Sequence, residues 1–332
     1  MKKPKKKNLP RHAAGSFTLK EGTGPITAMC SCGEYLEMYK KDKTFRVRSP
    51  ESIDPEETNP NALWVTTPVD DIGSSNPIVA RVFLQSIDML NFAIFDSEIK
   101  KEEVIAKLHS CKELLVSCFK VATKVSEQIK QKISEIESKG IEKDNHGRGL
   151  NPFPHILNLE DECGTFLVRL NRAIKAICEL PSLFFQLDRT DSNFDYLGKR
   201  LEGKFGSEFI LTKFVQDNAE TVRYLIDLRN YHEHPGETKT IIENFSLTPD
   251  SKIQIPMWGL SSGELRSIKE EMFGSVNLLM EVAEIMFIHC IMGTVSKKFP
   301  FIIERIPEDK VEKDKPIYYR LSIDTGMLSK NK

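Results

Sequence analysis

The sequence predicts a mainly α fold: a bundle of four to five long helices with small β additions at the N-terminus, behind the fourth helix and at the C-terminus. Three observations carry that expectation. From Pro77 to about Val295 apolar residues recur at three- and four-residue spacing, the period of a helix that buries one face. Runs with strand-like alternation lie near the chain ends and at 238–258. Prolines and acids crowd residues 50–76, which reads as loop or linker.

The divisions expected are a basic tail over 1–15, a β-rich region with its Pro-rich acidic linker over 16–74, a helical bundle over 75–298, and a β-hairpin with a tail over 299–332. Pro25–Cys30, Tyr35–Tyr39 and Thr44–Arg48 alternate, and Lys40-Lys41-Asp42-Lys43 is a hairpin turn. A helix is expected over about 77–95, with Pro77 in its first turn. A very long one follows over 101–138, carrying the stripe Val104, Leu108, Cys111, Leu115, Cys118 and Val121 and ending at Gly140. A third covers about 159–187, divided or kinked by Pro181. A fourth covers 207–233 and stops before Pro235. A β-hairpin is expected near 238–258, then a helix from a capping box at Ser261-Ser262-Gly263-Glu264 to about Val295. Runs at 301–306 and 317–323 close the chain as strands.

Composition narrows the function classes. The chain has 332 residues with 47 Lys+Arg against 48 Asp+Glu, so nucleic acid would have to be held by a local patch and not by overall charge. The most apolar stretch, Val276 to Val295, is interrupted by Glu281, Glu284 and His289, which marks a buried helix and argues against a membrane span. The basic start has no apolar segment behind it, so secretion is not expected. Seven cysteines form no regular framework, and Cys30-Ser31-Cys32 has no second ligand pair at metal-site spacing. Reduced structural thiols, a cytoplasmic location, and no metal or cofactor are the expectations. No Walker loop, dinucleotide fingerprint, His-Glu-x-x-His motif or Gly-x-Ser-x-Gly elbow is present.

One segment stands apart: Leu228-Arg229-Asn230-Tyr231-His232-Glu233-His234-Pro235. At about 100° per residue, Leu211, Val215, Val222, Leu225 and Ile226 share a face that Arg229 and Glu233 continue. A charged pair at the end of an apolar stripe is costly unless it is partnered or used. His234 precedes proline, so the helix should end there with the imidazole directed into a groove. Arginine forks onto phosphate oxygens and histidine moves protons near neutral pH, a combination able to cleave RNA without a metal.

Arg229-Asn230-x-x-x-His234 near the end of a long helix resembles the signature of the HEPN superfamily. The resemblance implies a metal-independent endoribonuclease, usually a homodimer, in which two motifs face each other across an RNA cleft. It also implies a toxin or effector of antiviral or stress defence, with an antitoxin or defence-system partner. Arg229, Asn230 and His234 are the catalytic candidates, with Glu233 and His232 in support. Some toxin members carry a tyrosine two residues after the histidine; Gly236 stands there in this chain.

Weaker candidates surround this motif. Lys5, Lys6 and Lys7 of the tail, and Arg46 and Arg48 on one strand face, are candidate RNA contacts. His155 and His289 read as structural, Phe184-Phe185 and the Met272–Met292 series as core, and Tyr318-Tyr319 as strand surface. The alternative function is a non-catalytic helical interaction or regulatory protein, in which Arg229 and Glu233 are an i,i+4 pair closing a helix end.

Overall fold

A computed structural model describes residues 10–12, 18–143 and 147–324. In chain order the elements are β1 (Ala28–Ser31), β2 (Leu36–Tyr39), β3 (Thr44–Arg48), a one-turn α1 (Pro50–Ile53) and β4 (Val65–Asp70). A π-helical segment, Ile78–Leu84, runs into α2 (Gln85–Phe92). The long helices α3 (Lys101–Lys139) and α4 (Leu159–Phe185) follow, then α5 (Phe194–Phe205) and α6 (Ile210–Glu233). Short strands β5 (Thr240–Glu243), β6 (Ser246–Leu247), β7 (Ile253–Gln254), β8 (Met257–Leu260) and β9 (Arg266–Ser267) precede α7 (Ile268–Thr294). The strands β10 (Phe301–Arg305) and β11 (Tyr319–Ile323) come last.

Among the described residues helix accounts for 50% and strand for 16%, spread over several small sheets. The expected mainly α, HEPN-like bundle of four to five long helices is therefore corrected to a mixed α/β fold with a substantial sheet component. The reason is strand length. Most strands span two to five residues, too short to outweigh a helical period that runs through the same region. β4 was hidden for another reason: it lies in the Pro-rich stretch read as linker, with Pro68 paired to Phe45. The sheet order β1-β2-β3-β4 puts β4 at an edge, where a residue without an N–H is tolerated.

The chain forms two compact units, one of residues 1–109 with 294–332 and the other of residues 110–293, whereas the change of period suggested a boundary near 75. In the first unit an antiparallel meander, β1 to β4, buries Leu19, Met38, Phe45 and Val47 as a small core with Leu36 against it. Its late segment is tied to the early one by specific bonds. The backbone N–H groups of Tyr318 and Tyr319 donate to Gln85 Oε1 at 2.7 and 2.8 Å, and Lys315 pairs with Asp88 at 2.7 Å. The Ser74 hydroxyl, which accepts from Thr27, lies 2.6 Å from the carbonyl of Asp314. Tyr318 also lies under the Arg81 guanidinium, 4.9 Å from its ring centre.

In the second unit, α6 packs against α4 and α5. The sheets β5-β8-β9 and β6-β7 fill the region behind α6, where one hairpin was expected. Trp258 of β8 is fully buried beside Phe166 of α4. Gly140 ends α3 at φ 70°, with its N–H on the carbonyl of Ile136, a left-handed exit that favours glycine. The capping box expected at Ser261 is not where α7 starts. Ser261 instead accepts the N–H of Lys239, and the N–H of Glu270 reaches the Ser267 hydroxyl at 3.5 Å, one turn into the helix.

The α7 helix is long and apolar enough, by length and composition, to cross a bilayer, but 61% of that window is buried inside the fold. His289 on α7 lies edge-on to Phe214 at 5.2 Å between ring centres, and desolvation lowers its pKa. All seven cysteines are thiols. Burial pushes the thiols of Cys118 and Cys163 up to about 12 and raises those of Cys178 and Cys290 as well. These four are inert core residues.

Candidate active site at the end of α6

The α6 helix is amphipathic: Leu211, Thr212, Val215, Val222, Leu225 and Leu228 are buried. That face fixes the rotation of the helix and so the direction in which its last turn points. The helix ends where the sequence predicts. His234 leaves α geometry with φ −131° and ψ 69°, and its N–H makes the last intrahelical bond, 2.8 Å to the carbonyl of Asn230. Thr240, opening β5, donates its hydroxyl to the carbonyl of Leu228 at 2.7 Å and ties the returning chain to this turn.

Within that turn Arg229 is held on two sides. One terminal nitrogen pairs with the carboxylate of Glu233, and the other donates to the Asn230 side-chain oxygen at 3.1 Å. Its Nε is buried without a hydrogen-bond partner among the described residues. The side chains of Arg229 and Glu233 are 26% and 29% exposed, so the face expected to be buried there is covered only in part. A buried ion pair would be locked in place, whereas this one faces water and its carboxylate can be displaced by a competing anion.

His234 is exposed, and His232 is half-buried. The imidazole of His232 lies over Gly164 of α4: a Cβ built at Gly164 would stand 2.7 Å from His232 Nε2. A side chain at Gly164 would therefore require the ring to shift from this position. Gly164 and Thr240 are the parts of the site that motif reading misses. A glycine inside a helical pattern is disfavoured, and that is the one signal pointing to Gly164.

No family model, curated protein or solved structure matches this chain. The site brings together Arg229, Asn230 and Glu233, with His232 seated on α4 and His234 at the helix end.

Arg46 and Arg48 belong to the first unit. Arg46 Nε donates to Glu37 at 3.2 Å and the guanidinium lies over the Tyr35 ring, 4.8 Å from its centre. Arg48 is exposed and donates to the carbonyl of Ser52. Lys5, Lys6 and Lys7 lie outside the described residues.

Proposed function

We propose that this protein is an endoribonuclease of HEPN type that cleaves RNA without a metal. The observation that supports the reading is a pre-oriented, partly exposed Arg229 in the last turns of α6, followed at the helix end by an exposed His234. Glu233 holds the guanidinium in the position a phosphate would take, and Asn230 fixes its second nitrogen. When RNA binds, the phosphodiester replaces the carboxylate and receives the fork.

The 2′-oxygen then attacks the adjacent phosphorus. The P–O2′ bond forms and the P–O5′ bond breaks, leaving a 2′,3′-cyclic phosphate and a 5′-hydroxyl. His234 takes the proton from the 2′-hydroxyl or returns one to the leaving 5′-oxygen, and Arg229 stabilises charge on the phosphate. One imidazole cannot face both oxygens of an in-line displacement at once. The reading therefore includes a two-fold dimer with the ends of α6 near the axis; the resemblance of the motif to the HEPN signature adds a role as toxin or defence effector restrained by a partner protein, and the reduced cysteines add a cytoplasmic setting.

The Arg229–Glu233 ion pair itself favours a second reading, in which it only closes the helix end and the protein binds partners without catalysis. Expression of the wild type and His234→Ala in cells, scored for growth arrest and RNA ends, separates the two. Cyclic-phosphate ends with the wild type alone support the nuclease. No RNA cleavage by the wild-type dimer, with or without chelator, supports the binding protein.

A further inference from the structure

The first unit contains a convergence that no linear motif announces. Cys32 follows β1 in the turn to β2, where its N–H donates to the carbonyl of Tyr35 at 2.9 Å and Gly33 supplies a φ of +74°. Glu37 lies on β2 with no solvent exposure, and His109 comes from α3, 72 residues further on. The Cys32 sulfur, a Glu37 carboxylate oxygen and a ring nitrogen of His109 all lie within 4.8 Å of one another. His109 Nε2 is 3.0 and 3.1 Å from the two Glu37 oxygens.

We infer that Cys32, Glu37 and His109 form a binding site for a divalent transition-metal ion, zinc by donor set, with a fourth position open to a cavity. A Cys–His–Glu cluster can serve as a nucleophilic relay or as a ligand set, and the two differ in geometry. In a nucleophile–base–orienter relay the imidazole stands between thiol and carboxylate, one on each ring nitrogen, so the sulfur and the carboxylate are kept apart by the width of the ring. Here the sulfur and the carboxylate lie within 4.8 Å of each other, so the three donors converge on one point. Two zinc ligands at ~2.0–2.1 Å in a tetrahedron stand about 3.3 Å apart, close to the His109–Glu37 separation already present.

Charge and softness agree with that geometry. A thiolate and a carboxylate supply two negative charges for a dication, with Arg46 beside the carboxylate leaving one positive charge that suits an anionic fourth ligand, and a sulfur–nitrogen–oxygen set suits zinc better than magnesium or calcium. On binding, the Cys32 thiol proton and the proton that His109 Nε2 shares with Glu37 are displaced to solvent, and the imidazole carries its one remaining proton on Nδ1.

The surroundings are those of a supported ligand set. Tyr39 donates its hydroxyl to Glu37 Oε2, and Arg46 Nε lies 3.2 Å from Oε1. The His109 ring is set edge-on to Phe83 and Tyr35, at 5.4 and 6.3 Å between centres. Such outer partners fix the orientation and basicity of ligands. The cavity of about 510 Å³ is bordered by Cys32 and His109 themselves and by Tyr35, Glu102 and Ile105. It leaves room at the fourth position for water or a small anionic ligand. This site is independent of the α6 motif and of the ribonuclease reading.

Titration of the full chain with Co²⁺, followed by displacement with Zn²⁺, tests the site without reference to RNA cleavage. The expected result is one equivalent of Co²⁺ with a thiolate-to-metal charge-transfer band that Zn²⁺ removes. Cys32→Ala should abolish the band, and Cys32→Ala and His109→Ala should each weaken Zn²⁺ binding by more than the ~10–100-fold typical of losing an outer partner, a range in which Arg46→Ala should fall. Cys30→Ala should bind as the wild type does. Cys32→Ser, which keeps the size of the side chain, repeats the test if the alanine variant has lost its far-ultraviolet dichroism. No charge-transfer band in the folded wild type, or an unchanged band in Cys32→Ala or Cys32→Ser, overturns the site.

Discussion

Glu37 and Glu233 are each held by an arginine, and the two pairs behave differently because water reaches only one carboxylate. Glu37 has no exposure and is bonded by Tyr39, Arg46 and His109. Glu233 is 29% exposed and joined to Arg229 across one helix turn. A buried carboxylate needs every partner it has, since an uncompensated charge in a low dielectric costs several kcal/mol. An exposed i,i+4 pair contributes a few tenths of a kcal/mol and exchanges readily. The first arrangement suits a fixed ligand set, and the second suits a placeholder that yields to an incoming phosphate.

The sharpest way to break this comparison is Glu37→Ala. It removes the acceptor shared by three side chains and should cost about 3 kcal/mol, near the lower end for a buried pair because the Arg46 side chain is 32% exposed. Denaturant unfolding measures it. A loss under about 1 kcal/mol would put Glu37 on the same footing as an ordinary surface residue.

Next in size is His234→Ala, which should lower RNA cleavage by about 10²-fold, near 2.7 kcal/mol of transition-state stabilisation. The melting temperature should stay unchanged, because the imidazole is exposed. A variant as active as the wild type sinks the role given to His234.

Glu233→Gln should shift stability by no more than about 0.5 kcal/mol yet reduce cleavage about tenfold, because Arg229 loses the partner that orients it. Arg229→Lys should be as inactive as an alanine, since one ammonium cannot fork. If the pair only caps the helix, Glu233→Gln instead lowers the melting temperature and Arg229→Lys is tolerated.

The smallest effect concerns His289, whose pKa lies below its ordinary value of 6.5 through desolvation. Below pH 6.5 the unfolded chain takes up a proton that the folded chain resists, so this residue's contribution to stability is complete above 6.5 and declines as pH falls. His289→Gln should flatten the difference between unfolding curves measured on either side of that pH. Parallel curves for the two proteins would remove His289 from the account.

Legibility in the sequence follows the length scale of the interactions. The helices α3, α4 and α6 were readable because each repeats its apolar face over many turns, and Gly140 marks the end of α3 by its backbone freedom. The 12-residue α5 was missed: Gly198 and Gly203 weaken its propensity, and its main signal is the Asn193 side chain capping the N–H of Tyr196. Two-residue ladders such as β6 with β7 leave almost no pattern to read.

The same holds for the sites. Arg229 to His234 lie within six residues and announce themselves, although how far Arg229 is covered depends on tertiary structure. Cys32, Glu37 and His109 come from a turn, a strand and a helix, and only the fold brings them together. Cys30-Ser31-Cys32 looked like half a metal site lacking a partner pair; the partners that meet Cys32 are a glutamate and a histidine far from that spacing.

The discontinuous first unit sets an order on biosynthesis. Its meander and α2 leave the ribosome first, but Tyr318 and Tyr319, whose N–H groups complete the bonding of Gln85, are made more than two hundred residues later. At ~5–20 residues per second that interval is on the order of ten seconds or longer. Residues 110–293 are made meanwhile as one uninterrupted stretch, a compact unit that takes no strand from the chain's last segment. A released chain truncated after Gly293 should hence show protease protection over 110–293, with the segment around Gln85 still open to cleavage.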